Sequence, residues 1–154
     1  MDDVDGELYR KHADELTRFA TGLVGPNHAA DVVSEAFLGC LDSPKWEMVT
    51  EKRAYLFRSV YNSAAEFHRS SLRRQLREAQ SAQRDSIVPP EVRPEVLAAV
   101  ALLSLQQRAV IVLTYWNDLD SADIARLLQI SDGSVRRHLA RGRSKLRKVL
   151  NADD

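Results

Sequence analysis

The side chains best equipped for chemistry lie near the end of the chain, where Arg136, Arg137, Arg141, Arg143, Lys145, Arg147 and Lys148 follow a run of apolar residues at helical spacing. A guanidinium offers two parallel donors that match O6 and N7 of guanine, and it neutralises phosphate equally well. Arg136, Arg137 and Arg141 stand early on this segment and are the candidates for reading base edges, while the later cations suit phosphates. A second group occupies residues 53–77, RAYLFRSVYNSAAEFHRSSLRRQLR, which interleave aromatics with arginines. Rings can stack on exposed bases while arginines hold a single-stranded backbone, and the same run also reads as a core helix with a basic flank. Asp31 and Glu35, spaced i,i+4, share one helix face. Such a pair could serve a metal or acid–base work, but with no His or third carboxylate it fits a surface or partner contact better. His68 has no neighbouring nucleophile or ligand cluster. The chemistry expected is recognition, with no catalytic residue, metal or cofactor.

Helices must position these groups. Leu8, Leu16, Phe19, Ala20 and Leu23 recur at helical spacing and predict a first helix ending near Gly22 to Pro26. Asn27 is a candidate N-cap for a second helix, with Ala30, Val33, Phe37, Leu38 and Leu41 as its apolar stripe and Asp42-Ser43-Pro44 as its stop. A third runs from about Glu51 through Leu76, with Tyr55, Leu56, Val60, Ala64 and Phe67 as core positions. Residues 79–94, AQSAQRDSIVPPEVRP, break the periodicity with three prolines and read as a linker. Beyond it come Val96 to Leu105 and Gln106 to Trp116. Then follows a helix-turn-helix: Asp120 caps a helix packed through Ile124, Ala125, Leu127 and Leu128, Gln129 to Ser131 turn, and Ser131 caps the next helix. Val135, Leu139 and Leu146 point inward and leave the arginines outside. An ordinary pair of packed helices with a charged exterior is the plainer reading, but cap, turn, apolar spacing and outward arginines agree on the first.

The expected fold is all-α, as two small helical domains, residues 1–78 and 95–154, joined by a flexible linker over 79–94. A chain of 154 residues suffices for one ordinary domain or two very small ones. Its 22 basic and 22 acidic side chains cancel, so overall charge flags no nucleic acid, but their distribution does. Residues 1–50 hold 4 basic and 10 acidic groups, 51–84 hold 8 and 3, 85–105 hold 1 and 3, and 106–150 hold 9 and 4. Two basic blocks offset by acidic ones suggest that nucleic acid meets particular faces. The single cysteine, Cys40, excludes an intrachain disulfide and a Cys-rich zinc site, and its apolar surroundings suit a small core residue. Trp46, in a polar loop after a proline, is expected to be partly exposed, and Trp116 to pack. No apolar stretch reaches the roughly 18 to 20 residues that span a bilayer, and the start MDDVDGE lacks the basic beginning of a secretory signal. Membrane insertion is not expected; a cytoplasmic protein is.

Together these segments resemble the extracytoplasmic-function sigma factors of bacterial RNA polymerase, within the sigma-70 family. Residues 28–41, HAADVVSEAFLGCL, resemble region 2.2, residues 51–74 regions 2.3 and 2.4, and residues 103–150 region four, so the likeness runs along nearly the whole chain. It implies a non-enzymatic protein that directs core polymerase to promoters. Asp31, Glu35 and Phe37 would dock on the clamp helices of the largest subunit, which gives the acidic block a purpose. Phe57, Arg58 and Asn62 would read the separated strand of the minus-10 element, where stacking and edge hydrogen bonds offset the cost of extruding a base. Ser134, Arg136, Arg137 and Arg141 would enter the major groove of the minus-35 element. The resemblance also implies an anti-sigma partner. Ser34 stands where Gln is usual, Phe57 where Tyr is common, Glu66 where Asp is frequent, and Asn117-Asp118 where Glu-Gly is usual. Two other classes remain at this stage. One is a stand-alone helix-turn-helix regulator with an N-terminal dimerisation or sensing module; the other is a nucleic-acid enzyme built on Asp31, Glu35 and His68.

Overall fold

The computed structural model describes residues 3–75 and 93–151, and within them every regular element is helical. α1 (Asp3–Val24), α2 (Ala29–Asp42) and α3 (Lys52–Gln75) pack against one another in all three pairings. The α1–α3 seam closes on Phe19 and Phe57, both fully buried with ring centroids 5.4 Å apart. The predicted linker falls mainly on residues 76–92, outside those described. Its last residue, Pro94, opens α4 (Pro94–Val100), where a helix needs no N–H.

α4 stops earlier than periodicity predicts, because Ser104 begins a new helix. Its hydroxyl accepts from the Gln107 N–H at 3.2 Å, and the Gln107 amide oxygen accepts from the Ser104 N–H at 3.3 Å, a reciprocal cap for α5 (Leu105–Tyr115). α6 (Ser121–Leu128) and α7 (Asp132–Asn151) follow. Two expectations for α2 fail. His28, not Asn27, holds the N-cap position, and its side chain makes no capping bond. Ala30 and Leu38 face outward, Leu38 with 57% exposure, because the buried stripe runs through Ala29, Val32, Val33, Ala36, Phe37 and Cys40. Trp46 is also corrected to buried. Its indole N–H donates to Asp5 at 3.1 Å, and the Lys52 ammonium lies 4.6 Å above its ring.

The two helical units share one continuous core, running from Leu16, Leu23 and Val33 to Val110, Leu113, Ile124 and Val135. The join is tightest at Gly22 of α1. A Cβ there would lie 2.3 Å from a Val112 methyl and 3.0 Å from the Trp116 ring, so α1 meets α5 at a distance only glycine allows.

Candidate nucleic-acid interface

The helix-turn-helix is built from its caps outward. Asp120 Oδ1 accepts from the Asp123 N–H at 2.8 Å and starts α6. Gln129 ends it in the left-handed region at φ 57° and turns the chain. Ser131 Oγ then accepts from the Ser134 N–H at 3.1 Å and starts α7. α7 seats on α5 through fully buried Val135 and through Gly142, where a Cβ would stand 2.8 Å from Ile111. Sequence reasoning missed Gly142; a glycine inside a strongly periodic helix was the available signal.

On α7, Arg136, Arg137 and Arg141 are exposed, Arg137 and Arg141 roughly 40° apart on the side away from Val135 and Arg136 at its flank. Arg137 donates to Ser134 Oγ at 2.9 Å, and the Ser131 hydroxyl reaches the same oxygen at 3.1 Å. Ser134 therefore steers the guanidinium of Arg137. Burial and the charges of Arg137 and Arg141 hold His138 below the usual histidine range, so its ring adds no positive charge near neutrality. Arg143 turns toward Tyr115, over whose ring it lies and to whose hydroxyl it donates.

α3 does not gather its three candidates. At about 100° per residue, Arg58 and Asn62 stand roughly 40° apart, while Phe57 lies more than 90° from both and on the buried side. Phe57 is corrected from a stacking residue to a core residue. Its ring has no exposed area, being packed on Phe19 with the Arg53 guanidinium 5.3 Å from its centroid, so no base can reach it in this form. The signal was present, since Phe57, Val60 and Ala64 follow the i, i+3, i+7 pattern of a buried stripe. Arg58 leans toward α6, with Nε 3.4 Å from the Leu127 carbonyl, a long contact. Asn62 is exposed and lines a cleft of about 320 Å³ between α2 and α3, with Glu35, Tyr55, Ser59 and Ser63.

On α2, Asp31 and Glu35 are exposed on one face, as expected. Phe37 is buried at 3% exposure, as its place in the apolar stripe predicts, with its ring 4.8 Å from Tyr9; the docking role that the resemblance implied for it is corrected, since the ring offers a partner almost no surface. The exposed apolar neighbour is Leu38, which borders a shallow notch with Tyr9 and Ser34. His68 serves structure. Its Nε2 lies 2.7 Å from the Leu23 carbonyl, and since a carbonyl only accepts, that nitrogen carries the proton. Among the described residues no cluster of three His, Cys, Asp or Glu could hold a metal ion, and no helix is long and apolar enough to cross a membrane.

Comparison with known proteins places this geometry. The family model for Sigma-70 region 2 matches residues 8–74, and that for Sigma-70 region 4 matches residues 93–146. The chain is 31% identical to the RNA polymerase sigma-E factor of Streptomyces antibioticus, over 96% of this chain and 85% of that protein. It is 33% identical to the ECF RNA polymerase sigma factor SigL of Mycobacterium tuberculosis, over 93% and 86%. In fold it resembles the sigma factor RpoE in complex with the anti-sigma factor NepR from Bartonella quintana, with a TM-score of 0.76, 20% identity, and 97% of this chain and 98% of that one covered. A second likeness is to CnrH in complex with the cytosolic domain of CnrY, with a TM-score of 0.71, 24% identity, and 97% and 89% covered. With both regions matched and relatives aligned along more than nine-tenths of its length, the chain belongs to the sigma-70 family of RNA polymerase sigma factors, in its extracytoplasmic-function group.

Proposed function

We propose that the chain brings core RNA polymerase to promoters through three surfaces and catalyses no reaction itself. The exposed arginines of α7, anchored by Val135 and steered by Ser134, carry the reading, because Arg137 and Arg141 share the side away from Val135 and Arg136 stands exposed on its flank. Ser134, Arg136, Arg137 and Arg141 enter the major groove of the minus-35 element. Arg58 and Asn62 contact the opened minus-10 strand, while Phe57 supports their helix from within. Asp31 and Glu35 form the acidic face that docks on the clamp helices of the polymerase's largest subunit. Residues 1–78 and 95–154 then serve as the two promoter-reading units, with 79–94 joining them. The protein works in the cytoplasm, where an anti-sigma factor, like the one bound to the structurally similar RpoE, holds it until a stimulus arrives.

The deciding experiment mixes the purified protein with core polymerase and maps where transcription starts on genomic DNA. Defined start sites that depend on the protein support the reading. Operator binding by the protein alone, with no association with polymerase, would overturn it in favour of a stand-alone regulator.

A further inference from the structure

We infer that Arg69, Ser70 and Arg73, toward the carboxyl end of α3, form a site for a backbone phosphate of promoter DNA, and that the Glu66 carboxylate fills this site in the free protein until the phosphate displaces it. The inference rests on the reading that α3 meets the minus-10 element, and it adds to that reading a contact that positions the DNA without reading its sequence.

Glu66 is the sole acidic residue among the 24 of α3. Four donors converge on it. Its Oε2 accepts from Arg69 Nε at 3.1 Å and from Arg69 Nη2 at 2.9 Å, and its Oε1 accepts from the Ser70 hydroxyl at 3.2 Å and from Arg73 Nη2 at 3.3 Å. The bonds from Arg69 and Ser70, together with the charges of both arginines, hold the carboxyl below its usual range, so Glu66 is an anion at neutral pH. A guanidinium fork that grips a carboxylate matches a phosphate equally well. Two such forks and a hydroxyl gathered around one anion can hold another of the same charge.

The place on the helix fits the task. At about 100° per residue, Asn62, Arg69 and Arg73 fall within roughly 40° of one another, and Glu66 lies within roughly 60° of all three. Arg69 stands roughly 10 Å along the axis from Asn62, and Arg73 roughly 16 Å. A strand that meets Asn62 and follows the helix brings its phosphates to these two arginines. The ion pairs that must give way are weak, since the side chains of Glu66, Arg69 and Arg73 are 51%, 64% and 67% exposed. Each arginine that meets the backbone also releases counterions condensed on the DNA, which favours the exchange. Glu66 thereby subtracts one charge from the contact and keeps two cations from gripping nucleic acid indiscriminately.

The test uses the holoenzyme, the full chain with core polymerase, on a promoter fragment taken from the mapped start sites. Affinity is measured by fluorescence anisotropy over a range of salt concentrations for the wild type, Glu66→Gln, Arg69→Ala with Arg73→Ala, and the three substitutions combined. Two arginines less one carboxylate leave a single net charge, and Glu66→Gln restores the second. That variant should bind at least about threefold tighter at low salt, with a slope of log K against log salt steeper by about one. The gain should vanish when both arginines are absent. Unchanged or weaker binding by Glu66→Gln, or a gain that survives without the arginines, overturns the phosphate site alone. Should the double-arginine variant lose helical signal, Arg69→Gln with Arg73→Gln takes its place. Repeating the series on a fragment opened over the minus-10 element locates the phosphate: a gain on both fragments assigns it to duplex, a gain on the opened one alone assigns it to the separated strand, and either supports the site. A wild type that directs no start sites removes the sigma reading and this inference with it.

Discussion

At the scale of single residues, Ser134 and Arg137 act as a unit. Arg137→Ala removes a donor pair, and loss of a bidentate base contact costs about 1–3 kcal/mol of discrimination. Ser134→Ala leaves the guanidinium in place but unsteered, so specificity should relax at one base pair of the minus-35 element while affinity for unrelated duplex stays the same. Competition binding against single-base variants of that element reads the difference, and equal weakening on every sequence would make Ser134 a phosphate contact instead. Glu15 is a residue of a different kind. Burial works to raise its pKa, but the two 2.8 Å bonds from Arg53, the 2.7 Å contact with His12 and their charges outweigh it and hold the carboxyl below its usual range. A depressed folded pKa gives stability that is full above the unfolded value and is lost as pH falls through the folded one. Glu15→Gln should therefore cost about 1 kcal/mol from pH 5 to 8, a modest figure because the Arg53 side chain is 41% exposed, with the gap closing below pH 4.5. Urea unfolding from pH 3 to 8 checks it. The outward arginines of α7 and the acids of α2 were legible because charge beside a clear apolar stripe has one place to go. Phe57 was not, because aromatic character suggested stacking where spacing already placed the ring in the core, whereas Phe37 is buried as its place in the apolar stripe predicts.

At the scale of elements, each helix of the reading unit depends on one small feature. Asp120→Ala removes the cap of α6 and should destabilise the chain by about 1 kcal/mol. Gly142→Ala acts differently, since its Cβ would stand 2.8 Å from Ile111 and push α7 off α5. Over-packing of this kind costs about 1–3 kcal/mol, and it should also reduce minus-35 binding because the arginines ride on α7; thermal melts with duplex binding separate the two effects. A melt unchanged by Gly142→Ala would mean that the α5–α7 seam is looser than the contact distances indicate. The caps of α6 and α7 were legible residue by residue, because Asp120 and Ser131 precede their helices by local hydrogen bonding that needs no tertiary partner. The break between α4 and α5 was not, because Ser104 and Gln107 lie inside an apolar-rich run whose periodicity continues across the cap.

At the scale of the whole molecule, the surface between the halves was invisible in the sequence, since Gly22 stands at a predicted helix end and neither Arg108 nor Asn117 carries a local signal for a contact with α1. From that contact cooperativity follows. Each unit alone is small enough that burial leaves little margin over chain entropy. The shared core and the bonds from Arg108 and Asn117 make each half lean on the other. The intact chain should thus unfold in a single calorimetric transition whose van't Hoff and calorimetric enthalpies agree. Gly22→Ala should split it into two, because the added methyl parts α1 from α5 while leaving the interiors of both units untouched. The half whose melting point falls further is the one that depends more on the interface. Two transitions already present in the wild type would mean that the halves touch without stabilising each other.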